Sequence, residues 1–508
     1  MGEKEKREEN DFLSFIQEAG LIWGPSPEIY GGLAGFYTYG PLGKLLKNKV
    51  ENSIRKVFNV QGFREVEGPT IMPDIVWKAS GHLDTFKDRI IKCRKCSSVF
   101  RADKLIEEGR DVSAEPFSDA QILEFINKNR IKCPSCKSEF EEKIDKQSLM
   151  MKTKVAGQDA SLRPETATVT YLPFLRYYNY FRKKLPLGVF QIGKAYRNEI
   201  SPRQHILRMR EFTQAEGQIF VDPKEKNKWD KYEEIKKEAL PFWDYRGQQE
   251  GAKVNIMAIE EALRNKHLTS QAYAWCIWLA YTQFRKFGIP AEKIRLRQHH
   301  PNEKAHYASD AWDIEVNLNN YGWTELCGVH DRGDYDLKQH EKFSGENLEA
   351  QRENGEKFVP HVLEIAFGSD RPTYALIDLF YDKKSASEGK TTFRVPYHIA
   401  PINVAVFPLM KKEELVKVAS RVRASLEKDF IVEYDEAGSI GRRYLRAALK
   451  GIPYAITVDY DSLEEGNVTV RDRDSEKQIR VKIGELSRVL LGLLKGEGEF
   501  ENAGILIE

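Results

Sequence analysis

At 508 residues, the chain is long enough for two to four domains and a sizeable buried core. Its 79 basic and 77 acidic residues leave a formal charge of only +2, so bulk charge offers no handle for nucleic acid, and any such contact must come from local patches. No apolar run approaches the roughly 20 residues of a membrane span. The charged start MGEKEKREEN lacks the apolar core of a signal peptide and has Lys6 where a myristoylation motif wants Ser or Thr, so a cytoplasmic location is expected.

After this leader, Asp11 to Gly20 reads as a short helix entering a glycine- and aromatic-rich loop, WGPSPEIYGGLAGFYTYGPLG. The loop suits either packing over a site or a plain structural turn. Leu42, Leu45, Leu46, Val50, Ile54 and Val57 recur at helical spacing and predict an amphipathic helix to Phe58. REVEGPTIMPDIVWKASGHLDTFKD follows as a strand interrupted by Pro69 and Pro73, then a helix-like run. Cys93 and Cys96, then Cys133 and Cys136, form two Cys-x-x-Cys knuckles. Two knuckles complete a tetrahedral thiolate shell for Zn²⁺ with no open position, so the metal would be structural. Between them AEPFSDAQILEFINKNR reads as a short helix, while Cys276 falls in an apolar helix and suits a core. Next, a strand or turn ends at Pro164 and a helix starts at Glu165. That glutamate either caps the helix or is a buried carboxylate in need of a partner.

The stretch FQIGKAYRNEISPRQHILRMREFTQAEGQIF carries the strongest pattern. At period two, Val189, Gln191, Gly193, Ala195 and Arg197 share one strand face. That face is mostly small, which leaves room for a ligand. After a polar loop with Ser-Pro turn chemistry, the return strand puts Arg208, Phe212, Glu216 and Gln218 on a single face. Such a hairpin points charge and an aromatic ring, rather than an apolar stripe, at a shared surface.

From Asp222 to Asn302 the pattern is mainly helical, with charge runs that suit either solvated faces or a grip on a nucleic acid. Two strands and a polar loop follow, with Asp313 and Glu315 on one face, then Trp323 and Glu325. In VPHVLEIAFGSDRPTYALIDLF, a strand, a glycine turn and an apolar helix, Glu364, Ala366 and Gly368 share a face, and Arg371 with Pro372 opens the helix. A basic stretch, DKKSASEGKTTFRVP, separates this from alternating strands and helices that argue an α/β domain. There Arg442, Arg443, Arg446 and Lys450 crowd one helix.

YRNE…R.REFTQAE resembles motif 2 of the class II aminoacyl-tRNA synthetases, in wording similar to the glycyl-tRNA synthetases. Motif 1 is matched by REVEGPTIMPD, motif 3 by the segment around Arg371, and RPETA by the family's RPETAQ segment. The resemblance spans nearly the whole chain. It implies that Arg197 clamps the ATP α-phosphate and the amino-acid carboxylate, that Asn198 and Glu199 contact ATP, and that Arg208, beside Met209, reaches the distal phosphates. Phe212 would be the adenine platform, and Arg371 would cover the other side of adenine and touch the γ-phosphate. Glu325 and Leu326 would line the ATP site, with Glu325 and Glu364 holding Mg²⁺. Glycine would meet Glu165, Arg197, Glu216, Glu364 and Ala366. Arg332 suits either this pocket or a structural salt bridge. Where the family usually has Glu-Pro-Ser-Phe-Gly, this chain has Ile365 and Ala366, so ammonium recognition would rest on Glu165, Glu216 or another pair. Arg442, Arg443 and Arg446 would meet tRNA phosphates.

The expected architecture is an α+β class II core, an antiparallel sheet flanked by helices. The core would comprise 1–90 and 147–221 with motifs 1 and 2, and 303–395 with motif 3. It would carry a zinc-binding insertion at 91–146, a mainly helical insertion at 222–302 and a C-terminal α/β anticodon-binding domain at 396–508. The expected function is activation of glycine by Mg²⁺–ATP and transfer to the terminal adenosine of tRNA-Gly. The expected partners are ATP, glycine, tRNA-Gly and a second copy of the chain in a homodimer, with neither membrane nor DNA. Two alternatives stay open: a class IIa synthetase for another small amino acid, and a non-catalytic nucleic-acid-binding paralogue.

Overall fold

The computed structural model describes residues 3–507 apart from 109–113, 115–116, 201, 203–204, 302–307 and 383–390. Ser201 of the expected turn, most of the basic linker and the boundary expected at 302–303 therefore lie outside the described residues.

The largest sheet has nine strands: β1 (Arg64–Glu65), β2 (Leu187–Tyr196), β3 (Glu211–Val221), β4 (Ala239–Trp243), β5 (Asn255–Ala258), β6 (Ile294–Gln298), β7 (Asp310–Leu318), β8 (Gly322–Gly333) and β9 (His361–Gly368). They lie in the order β5-β4-β6-β7-β8-β9-β3-β2-β1. From β6 across to β2 every pairing is antiparallel. Parallel pairs occur where β4 meets β6 and where β1 meets β2.

Period-two alternation gives this sheet two unlike faces. Ala215 and Ile219 of β3, with Leu363, Ile365 and Phe367 of β9, are buried in the main hydrophobic core. Helix α1 (Glu3–Glu18), α2 (Pro41–Val60) and α3 (Gln271–Lys286) contribute to that core. The helix expected over Leu42–Phe58 is α2, with Pro41 at its first position, where its missing N–H costs nothing. Gly217 faces this side because a Cβ there would lie 2.5 Å from the Phe58 ring. The opposite face, with alternate positions of β3, β8 and β9, is left for chemistry.

The expected interruption by Pro69 and Pro73 is real. Arg64–Glu65 joins the large sheet, whereas Ile71–Pro73 pairs in a separate three-stranded sheet with Gln158–Leu162. Corrections are needed elsewhere. Residues 222–302 hold more helix than strand, but β4, β5 and β6 belong to the core sheet, so the stretch is built into the core rather than set apart from it. In β6 the alternation was present in IRLRQ, where Ile294, Leu296 and Gln298 are buried and both arginines are half-buried. The insertion carries its own three-stranded sheet of Lys87–Lys92, Val99–Arg101 and Asp145–Ser148, with a helix Asp119–Lys128 started by a Ser118–Gln121 capping box.

Beyond residue 396 a six-stranded mixed sheet has the order β11-β10-β12-β13-β14-β15, with β10 Val404–Pro408, β11 Val432–Tyr434, β12 Tyr454–Val458, β13 Asn467–Asp472, β14 Gln478–Lys482 and β15 Ile505–Ile507. Strand β14 runs to Lys482, and the helix that follows begins at Leu486. Among the described residues no helix is long and apolar enough to cross a membrane.

Candidate active site

A cavity of about 570 Å³ opens on the polar face of the large sheet. Its lining gathers Glu165, Arg197, Glu199, Arg208, Met209, Phe212, Glu216, Glu325, Leu326, Glu364, Ala366 and Arg371. Residues separated by up to 206 positions thus reach one chamber, because β2, β3, β9 and β8 are sheet neighbours. Gln191 pairs with Glu216, and Glu216 with Ala366, as the parity argument requires. Asn198 borders an adjoining cleft and donates its backbone N–H to Leu149 O at 2.8 Å.

At one end two guanidinium groups flank an aromatic ring. Arg197 follows β2, donates from Nε to Pro164 O at 3.1 Å, and lies 5.3 Å from the Phe212 ring centroid. Arg371 stands in the first turn of α4 (Asp370–Phe380) and donates to the Glu325 carbonyl at 2.9 Å and to Leu207 O at 3.2 Å. Its guanidinium also pairs with the Glu325 carboxylate at 3.1 Å, and that neighbour holds the Glu325 carboxyl below its ordinary range. Arg208 sits before the return strand rather than on it, and its guanidinium pairs with buried Glu199 at 2.6 Å.

Three buried carboxylates form the other end. Glu364 accepts from Tyr171 Oη at 3.0 Å and from Arg332 at 3.2 Å, and meets His330 Nδ1 at 2.9 Å. Burial pushes its carboxyl up, but Arg332 and His330 outweigh this and bring it to about 2. Glu165 accepts from Thr168 Oγ1 at 2.6 Å and faces His82 Nε2 at 3.5 Å. Burial is again outweighed, by His82 and then Arg332, so it too is held low. Glu216 differs: among the described residues, its one hydrogen-bond donor is the Thr166 hydroxyl. Burial, then Glu364 and Glu165, push its carboxyl up to about 8.

Arg332 resolves as structural, buried and bonded to both oxygens of Asp336 at 2.7 and 2.9 Å besides Glu364. Glu325 and Glu364, the carboxylates expected at Mg²⁺, both line the cavity. Glu364 pairs across from His330, which lies five positions along β8 from Glu325. The oxygens of Glu364 are also already engaged by protein donors.

The four expected zinc ligands converge. Cys93 and Cys136 Sγ are 3.4 Å apart, Cys96 and Cys133 Sγ 3.7 Å, and all four lie within 4.8 Å of one another. Four thiolates at about 2.3 Å from Zn²⁺ stand about 3.8 Å apart in a tetrahedron, so the donor set fits. Residues the sequence did not flag also line the cavity: Arg101 from the insertion, and Phe86 and Asp88 just before it. Nothing in their local pattern marks them.

In the C-terminal domain helix α5 (Ile440–Leu449) does not present all its arginines to solvent. Arg443 is 2% exposed and donates to the carbonyls of Pro408 and Leu409 at the end of β10 and of Gly438 just before α5, so it is not available to a phosphate. It shares the inward stripe with Ile440, Tyr444 and Ala447, a spacing visible in the sequence. Arg446 is exposed but paired with Asp435 at 2.8 Å, and Arg442 is exposed.

An antiparallel sheet carrying an arginine-flanked aromatic on one face, joined to a mixed α/β domain, defines a class II aminoacyl-tRNA synthetase. Residues 152–380 match the family model described as the tRNA synthetase class II core domain (G, H, P, S and T), and residues 403–493 match the model described as the anticodon binding domain. Among solved structures, the prolyl-tRNA synthetase of Cryptosporidium parvum complexed with halofuginone and AMPPNP shares the fold, with a TM-score of 0.58 and 16% identity, covering 96% of this chain and 77% of that one. The glycine–tRNA ligase of Methanothermobacter thermautotrophicus is 38% identical over 93% of this chain and 97% of its own. That of Thermococcus kodakarensis is 38% identical over 97% of this chain and 100% of its own. The chain belongs to the glycine–tRNA ligase family.

Proposed function

We propose that this cavity condenses glycine with ATP and passes the glycyl group to the terminal adenosine of tRNA-Gly. The observation that carries the reading is the polarity of the chamber, which brings Arg197, Arg371 and the Phe212 ring together with the three buried carboxylates Glu165, Glu216 and Glu364.

Adenine would lie between Phe212 and Arg371. Arg197 would hold the α-phosphate and the glycine carboxylate together, Glu199 with Asn198 would contact the nucleotide, and Arg208 would leave Glu199 for the distal phosphates. A glycine carboxylate oxygen attacks the α-phosphorus as the bond to pyrophosphate breaks, forming glycyl-adenylate. A ribose hydroxyl of the tRNA then attacks the carbonyl and AMP leaves. Negative charge grows on phosphoryl oxygens in the first step, and fixed guanidinium donors stabilise it with no protein nucleophile. The divalent ion that accompanies ATP would neutralise further phosphate charge, and half-exposed Glu325 is the wall carboxylate suited to help hold it.

The substrate ammonium would sit among Glu165, Glu216 and Glu364, beside Ala366. Any larger side chain would be buried against carboxylates, which penalises apolar substituents. The missing serine hydroxyl at position 366 leaves the ammonium to these acids. Zn²⁺ on the four cysteines would be structural, and the protein would act as a cytoplasmic homodimer. Arg442, with Arg446 after release from Asp435, would be the α5 contacts for tRNA phosphates. ATP–pyrophosphate exchange tested across amino acids decides the matter: glycine-dependent exchange is expected. Exchange driven better by another small amino acid, or none alongside nucleic-acid binding, would overturn the reading.

A further inference from the structure

Asp370, the residue before Arg371, is 3% exposed and touches three separate elements. Its Oδ2 accepts the backbone N–H of Thr213, the residue after Phe212, at 2.6 Å. Its Oδ1 accepts from Tyr39 Oη at 2.7 Å and from Lys47 Nζ at 2.5 Å. Lys47 is 3% exposed, donates also to Thr213 Oγ1 at 2.8 Å, and lies 4.6 Å from the Tyr39 ring centroid. A second tie runs beside it, since the Ser369 N–H donates to Thr213 O at 3.0 Å. Buried lysines are rare unless paired, and this one comes from α2, an element otherwise devoted to the core.

The arrangement has a particular consequence. Phe212 and Arg371 form the two walls of the base slot proposed above, on which this inference rests. Phe212 adjoins Thr213, whose N–H Asp370 accepts, and Arg371 directly follows Asp370. The carboxylate thus bridges the wall on β3 to the wall on α4, and Lys47 balances its charge where water is excluded. Tyr39 fixes the remaining direction of the oxygen. We propose that Lys47, Asp370 and Tyr39 form a clamp that sets the width of the nucleobase slot, making Lys47 and Tyr39 positioning residues for ATP. A group at this spot that served stability alone would leave the ratio of the two substrates' KM values unchanged.

The experiment measures KM for ATP and for glycine separately by pyrophosphate exchange, in the full chain and in Lys47→Met and Tyr39→Phe. Lys47→Met is expected to raise KM for ATP about tenfold or more, with KM for glycine within about twofold. Tyr39→Phe keeps the ring and removes one donor, so it folds where Lys47→Met fails, and it is expected to raise KM for ATP about threefold. Equal changes in both KM values, or no change in either for a folded variant, overturn the clamp. The wild-type control separates the two levels of inference. No glycine-dependent exchange there sinks the functional reading, whereas normal wild-type exchange with an unmoved ATP KM in Tyr39→Phe sinks the clamp alone.

Discussion

Glycine binding should expel a proton from Glu216, and the size of the effect follows from the site. Thr166 donates to this carboxyl, Glu364 and Glu165 crowd it, Gln191 lies opposite on β2, and Arg197 is the cation that eases its charge. Pushed up to about 8, it is protonated in the free pocket at neutral pH. An incoming ammonium favours the ionised form, so binding must first remove that proton. At pH 7 the neutral form leads by about ten to one, a penalty of about 1.4 kcal/mol, and at pH 6 the penalty is about 2.7 kcal/mol. The sign is fixed: a raised acid opposes binding at low pH and stops opposing it as pH climbs through the pocket value. KM for glycine should therefore fall about tenfold from pH 6 to 7 and about fivefold more by pH 8, then level off. Exchange kinetics at saturating ATP measure this, with Glu216→Gln as the neutral isostere, whose KM should be high and flat. A wild-type KM that stays within about twofold across pH 6 to 8.5 would refute the reasoning.

Other outcomes follow from the same geometry. Arg371→Ala removes a slot wall and the partner of Glu325, so kcat/KM for ATP in exchange should drop about 100-fold or more; a change under about tenfold counts against the slot. Elemental analysis of purified protein should find about one zinc per chain, and Cys96→Ser should lower it; metal-free protein with a protease-resistant insertion would argue otherwise. Arg443→Ala should destabilise the C-terminal domain by about 2–4 kcal/mol through loss of its carbonyl partners, seen in thermal unfolding, whereas Arg442→Ala should leave stability alone and raise KM for tRNA. Gly43→Ala should fold poorly, because its Cβ would lie 1.8 Å from the Leu21 carbonyl oxygen, a backbone atom with nowhere to go.

The cavity was legible where function rides on strand parity. Phe212 and Glu216 on β3, and Glu364 and Ala366 on β9, could be placed on one face from period two alone, and the structure puts them in one chamber. Arg208 escaped that logic because a turn of 3-10 helix at His205–Leu207 resets the chain before β3 begins. Parity also says which face a carboxylate takes but not how far along the strand its partner lies, as with Glu325 and Glu364. Short strands in 222–302 were masked by flanking charge runs, although β6 alternates cleanly. Lys47, Asp370, His82 and Arg101 were invisible because each owes its role to tertiary neighbours, and a buried lysine on an amphipathic helix reads locally as a solvated one. The overcount of tRNA-facing arginines has the same origin, since a guanidinium that caps strand carbonyls has the same letter as one that meets a phosphate.

Building one chamber from alternate positions on neighbouring strands has a price in mutational tolerance. A residue inserted or deleted within β3 or β9 would turn the downstream half of that strand over, sending carboxylates into the hydrophobic layer beneath and greasy groups toward the substrates. Length changes in these strands should therefore be far rarer among functioning relatives than substitutions, while the connecting loops drift in size.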